Sequence, residues 1–352
     1  MKREETRKIK VGNIQIGKQN KVIIQSMTNS KTKDINATVA QINELEENGC
    51  QIVRLAVLDI EDAKAIREIK KQVNLPLVAD IHFSIQLALL ALESGIDKIR
   101  INPGNINNYK LLQELVIKCK EKQVPIRIGI NGGSLEAEIL KEYNDVVTSD
   151  AMIKSAMHHV KILEDLDFYD ICLSFKSSDV PLTIETYKKA SEVFDYPLHL
   201  GVTEAGTFTN SAIKSSAALG TLLSMGIGDT MRISVTSEPK EELIIAKQLL
   251  RCFDLIDNVP NLVSCPTCGR IQYNMMPIAK EIEEFLNSIK SNITVAIMGC
   301  PVNGPQEAKR ADIGIAGGTK NGILFKKGKM IKTVPQEMLL ETLKEEIIKM
   351  SQ

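Results

Sequence analysis

The sequence predicts an α/β chain: an N-terminal TIM (β/α)8 barrel followed by a smaller C-terminal α+β domain. Three observations carry this. Eight short apolar segments recur before residue 240, helical patterns lie between them, and the alternation stops near Arg251, where a cysteine-bearing stretch begins. A strand-to-strand spacing of about 21 to about 44 residues suits repeated β–loop–α–loop units.

The segments are VIIQSMTN (22–29), IVRLAVL (52–58), LVADIHF (77–83), KIRINPGN (98–105), IRIGINGG (126–133), DICLSFKSS (170–178), LHLGVTEAG (198–206) and DTMRISVTS (229–237). Most open apolar or β-branched and nearly all end in polar, Gly or Pro residues. Helical patterns start at Asn36, Asp62, Ser84, Asn107, Asp150, Thr183, Thr209 and Pro239. The widest gap, after Gly133, leaves room for an extra helix in SLEAEILKEY. An open doubly wound sheet is the alternative, but eight units with right-handed crossovers are enough to close a barrel.

Residues 1–257 form the expected barrel and 258–352 the second domain. The latter contains SCPTCGR, a helix near Pro277–Ser288, the strand TVAIMGCPVNGP, then DIGIAGG and GILFKKGK. A last helix opens at Pro335 and places Leu339, Leu343 and Ile347 on one face. GIAGGTKNG (314–322) has the wrong spacing for a dinucleotide fingerprint, and a strand-like run follows it.

Composition narrows the function. The chain has 352 residues, with 44 Lys+Arg against 44 Asp+Glu and a hydrophobic fraction of 43%. That balance disfavours a nucleic-acid binder and dominant disorder. No run of 18 apolar residues suggests a membrane span, and the N-terminus lacks the apolar core of a secretory signal, so a cytoplasmic protein is expected. An odd seven cysteines argues against a disulfide framework.

Side-chain alternation in the strands identifies a candidate site. Residues two apart share a strand face. Asp80 and His82 therefore point one way, as do Arg127 with Asn131, Ser174 with Lys176, and Arg232 with Ser234. Barrel interiors are ordinarily Val, Ile and Leu. Arg54, Arg100, Arg127 and Lys176, on four different strands, suit a multiply charged anion such as a diphosphate; structural ion pairing is the plainer reading. Gly132 and Gly133 offer backbone N–H groups to a phosphate, or simply make a turn.

Cys265 and Cys268 form a C-x-x-C, and Cys300 sits in MGCPVNGPQE, where Pro301 stiffens the backbone beside it. Zinc usually takes four Cys/His ligands, yet all four histidines lie before residue 200. An iron–sulfur cluster with three thiolates and one weaker ligand competes with a zinc site closed by Cys252 or Glu307. Cys50, Cys119, Cys172 and Cys252 read most simply as small buried hydrophobes.

In this order, QSMTN, ADIHF, KIRINPGN, IRIGINGGS, LSFKSSD, HLGVTEAG, RISVTSEP, SCPTCGR and MGCPVNGPQEA closely resemble the 4-hydroxy-3-methylbut-2-enyl diphosphate synthases. The resemblance runs from about Lys10 to about Ile348, in the compact two-domain bacterial form. It implies a 4Fe–4S cluster held by Cys265, Cys268, Cys300 and Glu307. It implies reductive ring opening and dehydration of 2-C-methyl-D-erythritol 2,4-cyclodiphosphate, with two electrons delivered singly by flavodoxin or ferredoxin. It also implies a homodimer whose active site joins the barrel of one subunit to the cluster domain of the other.

Expelling a hydroxyl needs a proton, and Glu204, at the end of the seventh segment, is the best acid by position. Its plainer role is a helix N-terminal carboxylate. Arg54, Arg100, Arg127, Lys176, Asp80, Asn131 and, secondarily, His82 are the expected substrate-binding residues. A phosphate-handling barrel with a structural zinc module, or a non-enzymatic cluster carrier, are the competing functions.

Overall fold

The computed structural model describes residues 1–81, 84–101, 109–300 and 304–351, with only the backbone at Glu307. It divides into two compact units, Met1–Leu249 and Leu250–Gln352. Among the described residues no helix is long and apolar enough to cross a membrane.

The first unit opens with a hairpin of β1 (Ile9–Val11) and β2 (Ile14–Ile16). The barrel elements follow in order: β3 (Ile23–Met27), α1 (Ile35–Glu47), β4 (Ile52–Ala56), α2 (Ile60–Lys70), β5 (Leu77–Asp80), α3 (Ile85–Glu93), β6 (Lys98–Ile101), α4 (Tyr109–Lys122) and β7 (Ile126–Asn131). Two helices come next, α5 (Ala137–Glu142) and α6 (Ser149–Glu164), the former within the stretch where an extra helix was expected. The unit ends with β8 (Ile171–Lys176), α7 (Val180–Val193), β9 (His199–Leu200), α8 (Phe208–Ser224), β10 (Thr230–Met231) and α9 (Pro239–Arg251).

The eight strands β3 to β10 pair in the order β8-β7-β6-β5-β4-β3-β10-β9, and every pairing is parallel. A parallel bridge between Leu173 and Leu198 joins the two ends, so the sheet closes rather than staying open. Side-chain caps fix where several helices begin. Asp34, Asp59, Ser84, Thr148 and Asp179 each accept from the amide three residues on. Each such cap is worth about 1 kcal/mol.

Two of the expected strands are much shorter than their apolar segments. Only His199–Leu200 and Thr230–Met231 join the sheet. Beyond them the chain bonds between loops: Thr203 N donates to Ser177 O and Thr236 N to Gly206 O. These loops rim the strands' C-terminal ends.

The opposite end is sealed. The hairpin packs Ile9, Val11 and Ile16 against Ile23, Ile52, Val78 and Cys172, all buried. Its three-residue strands are too short for a periodic signal, and the expected barrel elements begin only at Val22. Arg3 ties the N-terminal segment down, donating from Nε to Gly228 O and from Nη2 to Leu223 O, each at 3.0 Å. Thr6 Oγ1 lies 2.7 Å from Asp229 Oδ1.

The second unit is a five-stranded sheet in the order β11-β12-β13-β14-β15, formed by β11 (Asn261–Ser264), β12 (Thr294–Met298), β13 (Ile313–Ala316), β14 (Asn321–Lys326) and β15 (Lys329–Pro335). The first three strands are parallel and the last two antiparallel. Helix α10 (Met275–Asn287) follows β11, α11 (Gly304–Glu307) follows β12, and α12 (Leu339–Ser351) closes the chain. Lys327 and Gly328 both have positive φ (47° and 77°), as a two-residue hairpin of matching twist requires. The last helix does not open at Pro335, which instead ends β15; α12 begins at Leu339 after a short 3-10 turn. Its expected stripe is nonetheless the buried one: Leu339, Leu343 and Ile347 are fully covered.

Candidate active site

Strand register places the predicted cations on one face. Met27 pairs with Arg54, Ala56 with Asp80, Asp80 with Arg100, Arg100 with Arg127, Gly129 with Ser174, and Asn131 with Lys176. Because alternate residues share a face, all of these point into the barrel. Arg100 and Arg127 are fully buried, and Arg54 and Asp80 nearly so. Arg100 Nη1 donates to Asp80 Oδ1 at 3.0 Å, and Arg54 Nε lies 3.5 Å from Asp80 Oδ2. One carboxylate thus bridges two guanidiniums, but no such partner meets Arg127: its three nitrogens are buried with no hydrogen-bond partner among the described residues.

Uncompensated positive charge in a low-dielectric interior lowers the proton affinity of every base in it. Burial, then the Arg100, Arg54 and Arg127 charges, push Lys176 down to about 7. Burial and Arg100 push Arg127 down to about 10, with Asp80 acting the other way. Arg54 is lowered too, by burial against the pull of Asp80. The histidine of the seventh strand, His199, is held neutral by burial and by the same cations, and its Nδ1 lies 2.7 Å from Thr230 Oγ1. It is a hydrogen-bonded barrel residue.

The other predicted residues differ in placement. Asn131 caps a short 3-10 turn, accepting from Gly133 N at 3.3 Å. The Gly133 amide expected to meet a phosphate is therefore already engaged. Glu204 is exposed and holds a left-handed backbone, φ 54°, in the loop after β9. Non-glycine residues in that region carry strain of order 1–3 kcal/mol, which tends to persist at functional loops. His82 lies outside the described residues.

Alternation alone noted Arg232 without assigning it a site role. It makes a two-pronged bond to buried Glu242 of α9, with Nη2 to Oε1 at 2.7 Å and Nε to Oε2 at 3.1 Å. Ser26 Oγ donates to the same carboxylate at 2.8 Å. Met27 Sδ accepts from Arg54 Nη2 at 2.9 Å. One further buried cation, Lys98, is absent from the expected site residues, although its alternation with Arg100 in KIRI marks it as inward-facing.

In the second unit two of the thiols follow the ends of neighbouring strands. Ser264 pairs with Ile297, so Cys265 and Cys300 follow the C-terminal ends of the adjacent parallel strands β11 and β12. Cys265 N donates to Ile297 O at 3.0 Å. A Cβ built on Gly299 would lie 3.9 Å from Cys265 Sγ. Cys268 is exposed, and Ile271 N donates to its carbonyl at 3.1 Å, turning the loop back toward Gly299. Gly304 N, at the start of the helix that carries Glu307, donates to Cys300 O at 3.3 Å. Among the described residues no three His, Cys, Asp or Glu side chains are close enough together to hold a metal ion as they stand. The donor set is soft and sulfur-rich, which suits iron–sulfur or zinc chemistry over hard cations. Three of the four remaining cysteines, Cys50, Cys119 and Cys172, are buried as expected, whereas Cys252 is exposed.

Residues 6–247 match the model of the GcpE TIM-barrel domain, and residues 261–349 match that of the GcpE protein C-terminal domain. The chain is 56% identical over 350 residues to a 4-hydroxy-3-methylbut-2-en-1-yl diphosphate synthase (flavodoxin) of Macrococcus caseolyticus, covering 99% of this chain and 94% of the relative. It is 55% identical over 350 residues to the enzyme of the same name from Shouchella clausii, covering 99% and 95%. A solved structure of dihydropteroate synthase from Stenotrophomonas maltophilia superposes with a TM-score of 0.50 at 12% identity, covering 71% of this chain and 97% of that one. That last likeness concerns the barrel fold alone.

Proposed function

The chain belongs to the GcpE family, and on that premise we propose how its two units divide the work. It is an oxidoreductase of isoprenoid biosynthesis that reductively converts 2-C-methyl-D-erythritol 2,4-cyclodiphosphate to 4-hydroxy-3-methylbut-2-enyl diphosphate. In the proposal, the barrel binds the diphosphate and the second unit carries the redox group.

The observation that carries the barrel assignment is the ring of inward cations. Arg54, Arg100, Arg127 and Lys176 face Asp80 as a carboxylate among them, and Arg127 has no hydrogen-bond partner among the described residues. A cyclic diphosphate supplies the missing negative charge. Guanidiniums suit its oxygens through paired N–H groups, while Asp80 keeps Arg54 and Arg100 oriented. Asn131 sits beside Lys176 in register and offers an amide to the sugar-derived chain. We add His82 to this set from its place two residues after Asp80.

Members of this family are iron–sulfur proteins. We propose a 4Fe–4S cluster held by Cys265, Cys268, Cys300 and Glu307. The arrangement fits: two of the thiols follow adjacent strand ends, and the third lies on a loop whose backbone bonds return to the same edge. When bound, the cluster supplies single electrons and a Lewis-acidic iron for the departing oxygen. The protein residues around it do the rest. Cys-Pro at 300–301 restricts the backbone beside one ligand. Glu204, exposed in the loop after β9, is the proposed donor of the proton that leaves with the hydroxyl as water.

The relatives' name supports flavodoxin as the electron donor, with ferredoxin the alternative. A homodimer with the site completed between subunits, and a cytoplasmic location, belong to the same proposal. Mixing an inactive Cys300→Ala chain with an inactive Arg127→Ala chain tests the dimer. Recovery of activity supports a shared site; no recovery despite proven subunit exchange places the site within one chain.

A further inference from the structure

Below the arginine layer the barrel holds one more cation. Lys98 is fully buried, and its Nζ has no hydrogen-bond partner among the described residues. Register fixes its depth. Arg100 pairs with Arg127, whereas Lys98, two residues earlier on β6, pairs with Val78. Val78 belongs to the apolar floor made by the N-terminal hairpin, so Lys98 sits between a greasy plug and the guanidiniums. Buried lysines without a partner are rare, because an ammonium in an apolar interior is costly.

We propose that Lys98 is a positioning residue for the diphosphate: sealed beneath Arg127, it strengthens anion binding through its charge without touching the ligand, and it takes up a proton as the anion binds. This rests on the reading of the barrel mouth as the diphosphate site.

The groups around Lys98 favour this role. From β7 it meets the field of Arg127, from β4 that of Arg54, and from β8 the thiol of Cys172. Arg100 lies above it on its own strand, with Asp80 beyond on β5. His199 on β9, held neutral, and Lys176 on β8 share the interior. Gln25 on β3 is buried, with neither amide atom partnered among the described residues, and Thr230 on β10 bonds His199. Cys172 is pushed up by burial and stays a thiol, so it supplies no compensating charge. Burial, together with the Arg127 and Arg54 charges, brings Lys98 down to about 8. An incoming dianion reverses the local potential and restores the proton. Charge at this depth acts through protein rather than water, so its reach exceeds that of a surface lysine.

The test is calorimetric titration of the full-length enzyme with the cyclodiphosphate at pH 8.5, in buffers of different ionisation enthalpy. The wild type should take up part of a proton per ligand bound. Lys98→Met should bind roughly tenfold more weakly and lose much of that uptake. Lys98→Arg should restore affinity but not uptake. Lys176→Met, run in parallel, separates the proton taken up at the mouth. If Lys98→Met unfolds, Lys98→Arg still decides through its proton count. Wild-type affinity and wild-type uptake in both Lys98 variants overturn the inference. If instead Arg127→Ala binds as tightly as the wild type, the reading of the mouth itself has failed.

Discussion

The guanidinium of Arg100 lies directly over Gly129: a Cβ built at 129 would be 2.7 Å from Arg100 Nε and 2.9 Å from Nη2. The two residues sit on neighbouring strands, and the missing side chain on β7 is the space that the arginine fills. Gly129 has an ordinary backbone, so the demand is for room rather than for an unusual φ.

Gly129→Ala should therefore push Arg100 off its bond with Asp80 while the barrel still folds. We expect kcat/KM to fall by about 10- to 100-fold, as displaced positioning groups typically cost, with a change in melting temperature of only a few degrees. Full activity would show that Arg100 does not need this position.

Ligand binding should weaken as pH rises through neutrality. Lys176 sits at about 7 in the free protein. Below that pH it is already charged; above it, binding must first protonate it. The cyclodiphosphate keeps its own charge across this range, so affinity should fall by up to about tenfold per pH unit where Lys176 alone controls it. Titrations at pH 6, 7 and 8 check this, and Lys176→Met should flatten the profile. A wild-type profile in that variant would contradict the assignment.

Glu204→Gln should separate binding from chemistry. Loss of a general acid commonly costs about 10²–10⁴ in rate, while ligand affinity should change little because the carboxylate adds no favourable charge to an anion. Rapid kinetics and calorimetry on the same variant decide. Parallel loss of affinity would assign Glu204 to binding or to loop shape instead, where its φ of 54° already marks strain.

Asp229 gives a stability test away from the site. Burial raises it to about 6, opposed by its bonds from Leu198 N and Thr6 Oγ1 and by Arg3. The folded state therefore holds this proton more tightly than the unfolded chain. Its contribution is present at low pH and is lost as pH rises from about 4 to about 6, worth at most about 3 kcal/mol. Asp229→Asn keeps one acceptor for Leu198 N and turns a donor toward Thr6. Relative to wild type it should gain stability between pH 4.5 and 7, read from denaturation midpoints. An unchanged difference across that range would contradict the assignment.

Alternation made the barrel and its cation ring legible in the sequence: Arg54, Arg100, Arg127 and Lys176 stand out against Val, Ile and Leu because strand geometry forces every second residue inward. The hairpin floor was not legible, since three residues per strand carry no period. The early ends of β9 and β10 were hidden as well. LHLGVTEAG and DTMRISVTS look like strands, but their backbone groups are satisfied by Thr203 to Ser177 and Thr236 to Gly206 bonds that only the folded chain provides. Cys265, Cys268 and Cys300 announced a soft ligand set by spacing. What spacing could not supply is that Cys265 and Cys300 follow neighbouring parallel strands, a fact of register across 34 residues of intervening chain.

The division of labour between barrel and cysteine unit is tested most directly by anaerobic turnover of the cyclodiphosphate with limiting reduced flavodoxin. One linear diphosphate should form for every two electrons supplied. Arg127→Ala should abolish product while keeping iron and the broad absorption near ~400 nm, and Cys300→Ala should lose both. Product formed without reductant, or by a colourless zinc-loaded protein, would contradict it.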